Sequence, residues 1–128
     1  MLFRSGFHAC DGALIRLREI IGLGHAMEMI LSGDRFDAEF AYRTGLVNRI
    51  VEQSELLPET MTYAEKLASR APLAQQLAKE VMYRTHGLTM DEALRIESLS
   101  FRSLADTEDL AEGNLSFREK RDAVFRGK

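Results

Sequence analysis

The run Leu46-Val47-Asn48-Arg49-Ile50-Val51 constrains the fold most, because it is the one segment with the β-branched content and lack of breakers that predict a strand. A single strand leaves its backbone groups unpaired on both edges, which is unfavourable. The chain therefore reads as part of something larger, completed by other copies or by further sequence. No internal repeat supplies the missing partner.

Everything around that run has helical periodicity. Leu14, Leu17, Ile20 and Ile21 recur at helical spacing, and Gly22 and Gly24 break the block. Ala26 to Leu31 forms a second block that ends at Ser32-Gly33. Asp37 is a suitable N-cap for a short helix that buries Phe40 and Ala41 and stops at Gly45. From residue 54 onward the pattern is helical to the end. One stripe carries Leu57, Met61, Ala64, Leu67 and Ala68 and closes before Pro72; the next carries Leu77, Ala78, Val81 and Met82 and closes at His86-Gly87. Thr89 and Glu92 form a capping box for a helix with Ala93, Leu94, Ile96 and Leu99. Thr107 caps the last helix, where Glu108 and Asp109 meet the positive end of its dipole. The predicted fold class is mainly α with one short strand.

Composition narrows the function classes. At 128 residues with 45% hydrophobic and 29% charged residues, the chain is long enough for one domain with a core and is not of disordered composition. A net charge of −3 lacks the basic footprint of a nucleic-acid binder. The one cysteine excludes an internal disulfide. No apolar run approaches the ~20 residues of a membrane span, and the first ten residues lack a signal-peptide core. These features predict a cytoplasmic protein that works without nucleic acid or membrane.

Few residues suggest chemistry on their own. His8, Cys10 and Asp11 supply nucleophile, base and ligand types, but they lie too close in sequence for the usual nucleophile–base geometry, and no second cluster completes a metal site. They read as a loop before a helix. His25 reads as a solvent-facing residue opening a helix, and His86 as a helix C-terminal imidazole. Gly22-Leu23-Gly24 lacks the preceding strand and third glycine of a dinucleotide fingerprint. The basic end is different. Arg118, Lys120, Arg121, Arg126 and Lys128, interleaved with Phe117 and Phe125, put five cations in the last eleven residues. They suit a phosphate-bearing nucleotide that stacks on an aromatic ring, or they simply complement the helix dipole and solubilise the tail. Both readings stay open on the residues alone.

The segment Ile21-Gly22-Leu23-Gly24-His25-Ala26-Met27-Glu28, the turn Ser32-Gly33-Asp34-Arg35, and Gly45-Leu46-Val47-Asn48 together resemble the enoyl-CoA hydratase/isomerase (crotonase) family. Further ordered matches follow at Pro72-Leu73-Ala74, Asp91-Glu92-Ala93, Thr107-Glu108-Asp109, Glu112-Gly113, and Phe117-Arg118-Glu119-Lys120-Arg121 with Phe125. The resemblance covers residues 11 to 128. It implies the C-terminal helical part of the α/β crotonase-like spiral fold, about its last third. Residues 11–53 match the end of the spiral core and 54–128 a helical C-terminal oligomerisation region, with 1–10 left outside the family pattern. Leu2-Phe3-Arg4-Ser5 also matches the translated end of a sequencing adapter, which implies a reading frame cut short upstream.

In function, the resemblance implies fatty-acid metabolism: addition of water to a 2,3-enoyl-CoA (a lyase activity), or a double-bond shift (an isomerase one). The CoA thioester enters as substrate, with no separate cofactor and no metal. The family uses two backbone N–H groups as an oxyanion hole and two glutamates as acid and base. One glutamate position falls near Leu2 and Phe3, neither of which transfers a proton, and the other falls before residue 1. Ala13 stands where the family has the second glycine of a pair. The expectation is therefore no catalytic residue in this chain and no hydratase activity by itself. Phe101, Phe117 and Lys120 match positions that contact the CoA nucleotide, often across a subunit boundary of a homotrimer or hexamer. The alternative is a non-catalytic helical oligomerisation or acyl-CoA-binding module.

Overall fold

A computed structural model describes residues 6–128. Helices follow one another as α1 (Ala13–Ser32), α2 (Ala38–Arg43), α3 (Leu56–Ala68), α4 (Pro72–Arg84), α5 (Met90–Ser103) and α6 (Glu108–Glu119). Residues 46–51 form no strand, and none occurs elsewhere among the described residues. This corrects the expectation of one short strand. β-Branched content makes a segment suited to a sheet, but only a neighbouring ladder turns it into a strand. The chain divides into a unit ending at Leu56 and a second unit, Leu57–Lys128.

In the first unit, the two apolar blocks flanking Gly22 merge into α1, which is kinked where Gly22 adopts φ 78°, ψ 159°. That conformation is essentially confined to glycine. Another left-handed glycine, Gly33, ends the helix. Asp37 Oδ1 accepts the Phe40 N–H at 2.8 Å, the N-cap its position predicts. α2 closes at Thr44, beyond which the Leu46 and Val47 N–H groups both return to the Ala41 carbonyl. The small core holds Ile21, Ala26 and Phe40. The Phe40 ring meets Phe36 at 4.5 Å between centroids, the edge of His25 at 5.6 Å, and the Arg43 guanidinium at 5.6 Å.

The second unit holds α4 and α5 packed along each other. Pro58 is accommodated in the first turn of α3, where backbone N–H groups have no helical partner anyway. Gln75 Nε2 donates to the Leu67 carbonyl at 2.9 Å and ties the end of α3 to α4. The Thr89–Glu92 capping box forms as its spacing predicts. Hydrogen bonding to the Thr89 hydroxyl, and then to its backbone N–H, holds the Glu92 carboxyl below its ordinary range. Burial is the anomaly. α3, α4 and α5 bury no residue completely, and Leu57, Met61, Met82, Leu94 and Leu99 are exposed.

The accessible surface is 10829 Å² for a mass of 14.5 kDa. Even two separate compact bodies sharing that mass would together expose only about 8,300 Å². The helices form, but their apolar stripes lack the layer that normally covers them.

Candidate functional site

Helix α6 and the chain beyond it form the most elaborate polar arrangement among the described residues. Thr107 Oγ1 accepts the Leu110 N–H at 3.2 Å and starts the helix. Its end is a Schellman turn: the Arg121 N–H donates to the Ser116 carbonyl at 3.1 Å and the Lys120 N–H to the Phe117 carbonyl at 3.4 Å. Lys120 occupies the left-handed position of that turn, with φ 54°, ψ 41°. Glycine is the usual residue there, so a lysine carries a backbone cost that other contacts must offset.

Those contacts come from two carboxylates one helical turn apart. Glu112 receives Arg121 in a fork: Nη1 to Oε1 at 2.6 Å and Nη2 to Oε2 at 2.8 Å. It also accepts the Val124 N–H at 2.8 Å. Hydrogen bonding from Arg121, followed by that from Val124, brings the Glu112 carboxyl down to about 2. The same bonds, with a further one to Glu119, raise the Arg121 guanidinium above its already high ordinary value. Asp109, only 4% exposed, accepts the N–H groups of Arg126 at 2.7 Å and Gly127 at 2.9 Å. Its own N–H donates to the Lys128 carbonyl at 3.2 Å. Beside these bonds lies an apolar cavity of about 230 Å³, lined in part by Leu73, Leu104, Leu110 and Phe125.

Of the residues expected to meet a CoA nucleotide, Phe117 and Lys120 stand three residues apart at the end of α6. Phe101 lies on a separate helix, α5. Phe101 and Phe117 are 76% and 85% exposed, so neither is a packing residue within this chain. The basic end does not act as one patch. Arg121 is committed to Glu112 and Glu119, and the backbone N–H groups, not the side chain, of Arg126 and Gly127 carry the contact to Asp109.

The remaining candidates do not converge. His8 Nδ1 lies 2.7 Å from the Ala9 carbonyl, while Cys10 Sγ donates to Asp11 Oδ2 at 3.2 Å. His25 is more than a solvent-facing residue, since it packs its edge on Phe40 and lies 3.5 Å from Glu28. His86 lies in the turn after α4. Gly22 serves the kink in α1 rather than a phosphate loop. Among the described residues, no group of three or more His, Cys, Asp or Glu side chains is placed to hold a metal ion. No described helix is long and apolar enough to cross a membrane. Leu2 and Phe3, the positions expected in place of a glutamate, and the adapter-like segment Leu2 to Ser5 lie outside the described residues.

Comparison with known proteins shows what these helices resemble. The architecture matches solved crotonase-fold structures: an enoyl-CoA hydratase from Bacillus anthracis superposes with a TM-score of 0.95 at 32% identity, over 98% of this chain and 49% of that one. An enoyl-CoA hydratase/isomerase from Mycobacterium abscessus gives the same TM-score at 34% identity, over 99% and 52%. The helices are thus a helical part of the crotonase fold. The family model for enoyl-CoA hydratase/isomerase matches residues 2–128, so the family pattern extends over residues 2–10 as well, and the chain belongs to that family. A probable enoyl-CoA hydratase of Rhizobium meliloti is 44% identical over 115 residues, covering 90% of this chain and 45% of the relative. The carnitinyl-CoA dehydratase of Escherichia coli is 39% identical over 122 residues, covering 92% and 47%. The chain spans about half the length of the relatives it matches.

Proposed function

We propose that this chain is the CoA-contacting and assembly-forming part of an enoyl-CoA hydratase/isomerase, acting on 2,3-enoyl-CoA thioesters only in company with further polypeptide. The carrying observation is the surface excess: helices that match family structures closely expose far more area than compact bodies of their mass can. Coverage of only 45% to 52% of the matched proteins supports the same reading.

Within that part, Lys120 supplies a positive charge to the phosphates of the CoA nucleotide, and Phe117 and Phe101 supply exposed aromatic faces for its adenine. The second copy or further sequence that covers α3 to α5 belongs to a homotrimer or a pair of trimers. Chemistry needs a proton-transferring pair and an oxyanion hole. The resemblance assigns neither to these residues, so the chain alone turns over no substrate.

The experiment is a turnover assay of the purified chain with a short enoyl-CoA, followed by absorbance at the conjugated thioester. The expected result is the rate of the buffer alone. A rate well above it refutes the claim of inactivity and restores a full active site to these residues. A non-catalytic acyl-CoA-binding module is favoured instead if the chain forms a stable trimer, binds CoA and still shows no turnover when the rest of the family fold is supplied.

A further inference from the structure

The matched run from Asp109 to Phe125 acquires a physical role once its contacts are taken together. Three amides of the terminal segment (those of Val124, Arg126 and Gly127) end on Asp109 or Glu112, and so does the Arg121 guanidinium. Gly113, beside them on α6, leaves the helix flank open to Phe125: a Cβ there would lie 3.7 Å from Phe125 Cε1. Gly127, at φ 73°, passes so close to α4 that a Cβ would stand 3.2 Å from Pro72 Cγ. The segment is therefore fastened along its length. Its first residue after α6 is Lys120, whose left-handed backbone turns its N–H back to the Phe117 carbonyl at 3.4 Å and to the Ser116 carbonyl.

We infer that Asp109 and Glu112 are positioning residues, which hold residues 121–127 as a strap against α6 and so fix the turn that aims the Lys120 ammonium at the CoA phosphates. This rests on the reading of Lys120 proposed above. Ionised carboxylates suit the task because each oxygen is acceptor-only and charge-assisted bonds are short and strong. Asparagine at position 109 would keep the shape but turn an N–H₂ group toward an amide donor.

The test combines amide hydrogen exchange with CoA binding by the parent chain and by D109N, E112Q and K120G. D109N and E112Q are expected to speed exchange at Val124, Arg126 and Gly127 by about tenfold or more, while α4 and α5 keep their rates. Their CoA affinity falls roughly two- to fivefold, and the fall of affinity with salt becomes shallower because an ion contact is lost. A merely structural role would leave that salt slope unchanged. K120G is expected to keep the strap protected and still to weaken CoA binding. Unchanged exchange at the three amides in D109N overturns the strap; E112Q, at a partly exposed ion pair, decides the same point if D109N does not fold. A loosened strap with parental CoA affinity, where K120G binds weakly, overturns the positioning role and leaves the Lys120 reading intact. Parental affinity in K120G overturns the Lys120 reading and the inference built on it.

Discussion

Gly22 and Gly24 stand two residues apart in α1, yet only one of them is required by the backbone. Gly22 has φ 78°, ψ 159°, whereas Gly24 keeps a helical conformation, and a Cβ at either meets nothing within 4 Å. Space is therefore the same for both and conformation alone differs. Gly22→Ala is expected to destabilise the first unit by about 1–3 kcal/mol, the cost of a side chain in a sparsely populated region. Gly24→Ala is expected to be neutral or to stabilise by up to ~1 kcal/mol, since alanine is the better helix former. Urea unfolding of the two variants, followed by helical circular dichroism, separates them; equal effects would mean that the kink is not fixed by Gly22. The same scale explains a misreading. The neighbouring His25 has the sequence context of a solvent-facing residue, and it is half exposed, but its edge meets Phe40 fifteen residues on. Helical spacing reports which residues share a face, not what another element brings to that face.

At the scale of elements, the helix starts were the most legible part of the sequence. Thr89→Ala is expected to cost about 1 kcal/mol, because it removes the hydroxyl that accepts the Glu92 N–H at α5 and leaves only the backbone half of the capping box. Thermal unfolding of the variant checks this, with Thr89→Ser as the control that keeps the cap. Asp37, Thr89 and Thr107 could be assigned in advance because a cap closes over three residues and needs no other part of the fold. The strap could not. Glu112 meets Val124 twelve residues away, and Asp109 meets Arg126 and Gly127 seventeen and eighteen away, so no local pattern announces them. Asp109 reads from sequence as a carboxylate at a helix dipole, which is true of its position and silent about its partners. Residues 46–51 differ in the opposite direction, since their composition suits a sheet and none occurs among the described residues.

The strap also carries a defined pH dependence. Glu112 titrates at about 2 in the folded chain against an ordinary 4.5, so its lowered value stabilises the strap only where the unfolded carboxyl is ionised. That contribution is complete above the unfolded value and is lost as pH falls from 4.5 toward 2. Arg121 stays charged throughout, and its other carboxylate partner is Glu119. Protection of the Val124 amide, its exchange rate relative to the intrinsic rate at each pH, is expected to hold steady down to about pH 4.5 and then to fall. A carbon-detected titration of the Glu112 carboxyl with a midpoint near 4.5 instead would mean that the fork with Arg121 does not persist in solution.

For the whole molecule, the decisive quantity is apolar surface without cover. Cooperative unfolding requires that most side chains lose their contacts together, which needs a shared core. Here the core of the first unit rests on Ile21, Ala26 and Phe40 with Ala9, while α3, α4 and α5 bury no residue. Local capping and the strap stabilise individual helices but couple them weakly to one another. The chain by itself is therefore expected to keep its helical circular dichroism while melting over a broad range, and to bind a hydrophobic dye such as ANS in native buffer. It is also expected to self-associate as concentration rises, because stripes such as Leu57/Met61 and Leu94/Leu99 are large and exposed. Supplying the remainder of the family fold on the same polypeptide is expected to sharpen the melt and abolish the dye signal, as those stripes gain their missing layer. A sharp, concentration-independent transition without dye binding in the 128-residue chain would show that it folds as a self-sufficient body, and would remove the physical basis for treating these helices as a part of a larger catalyst.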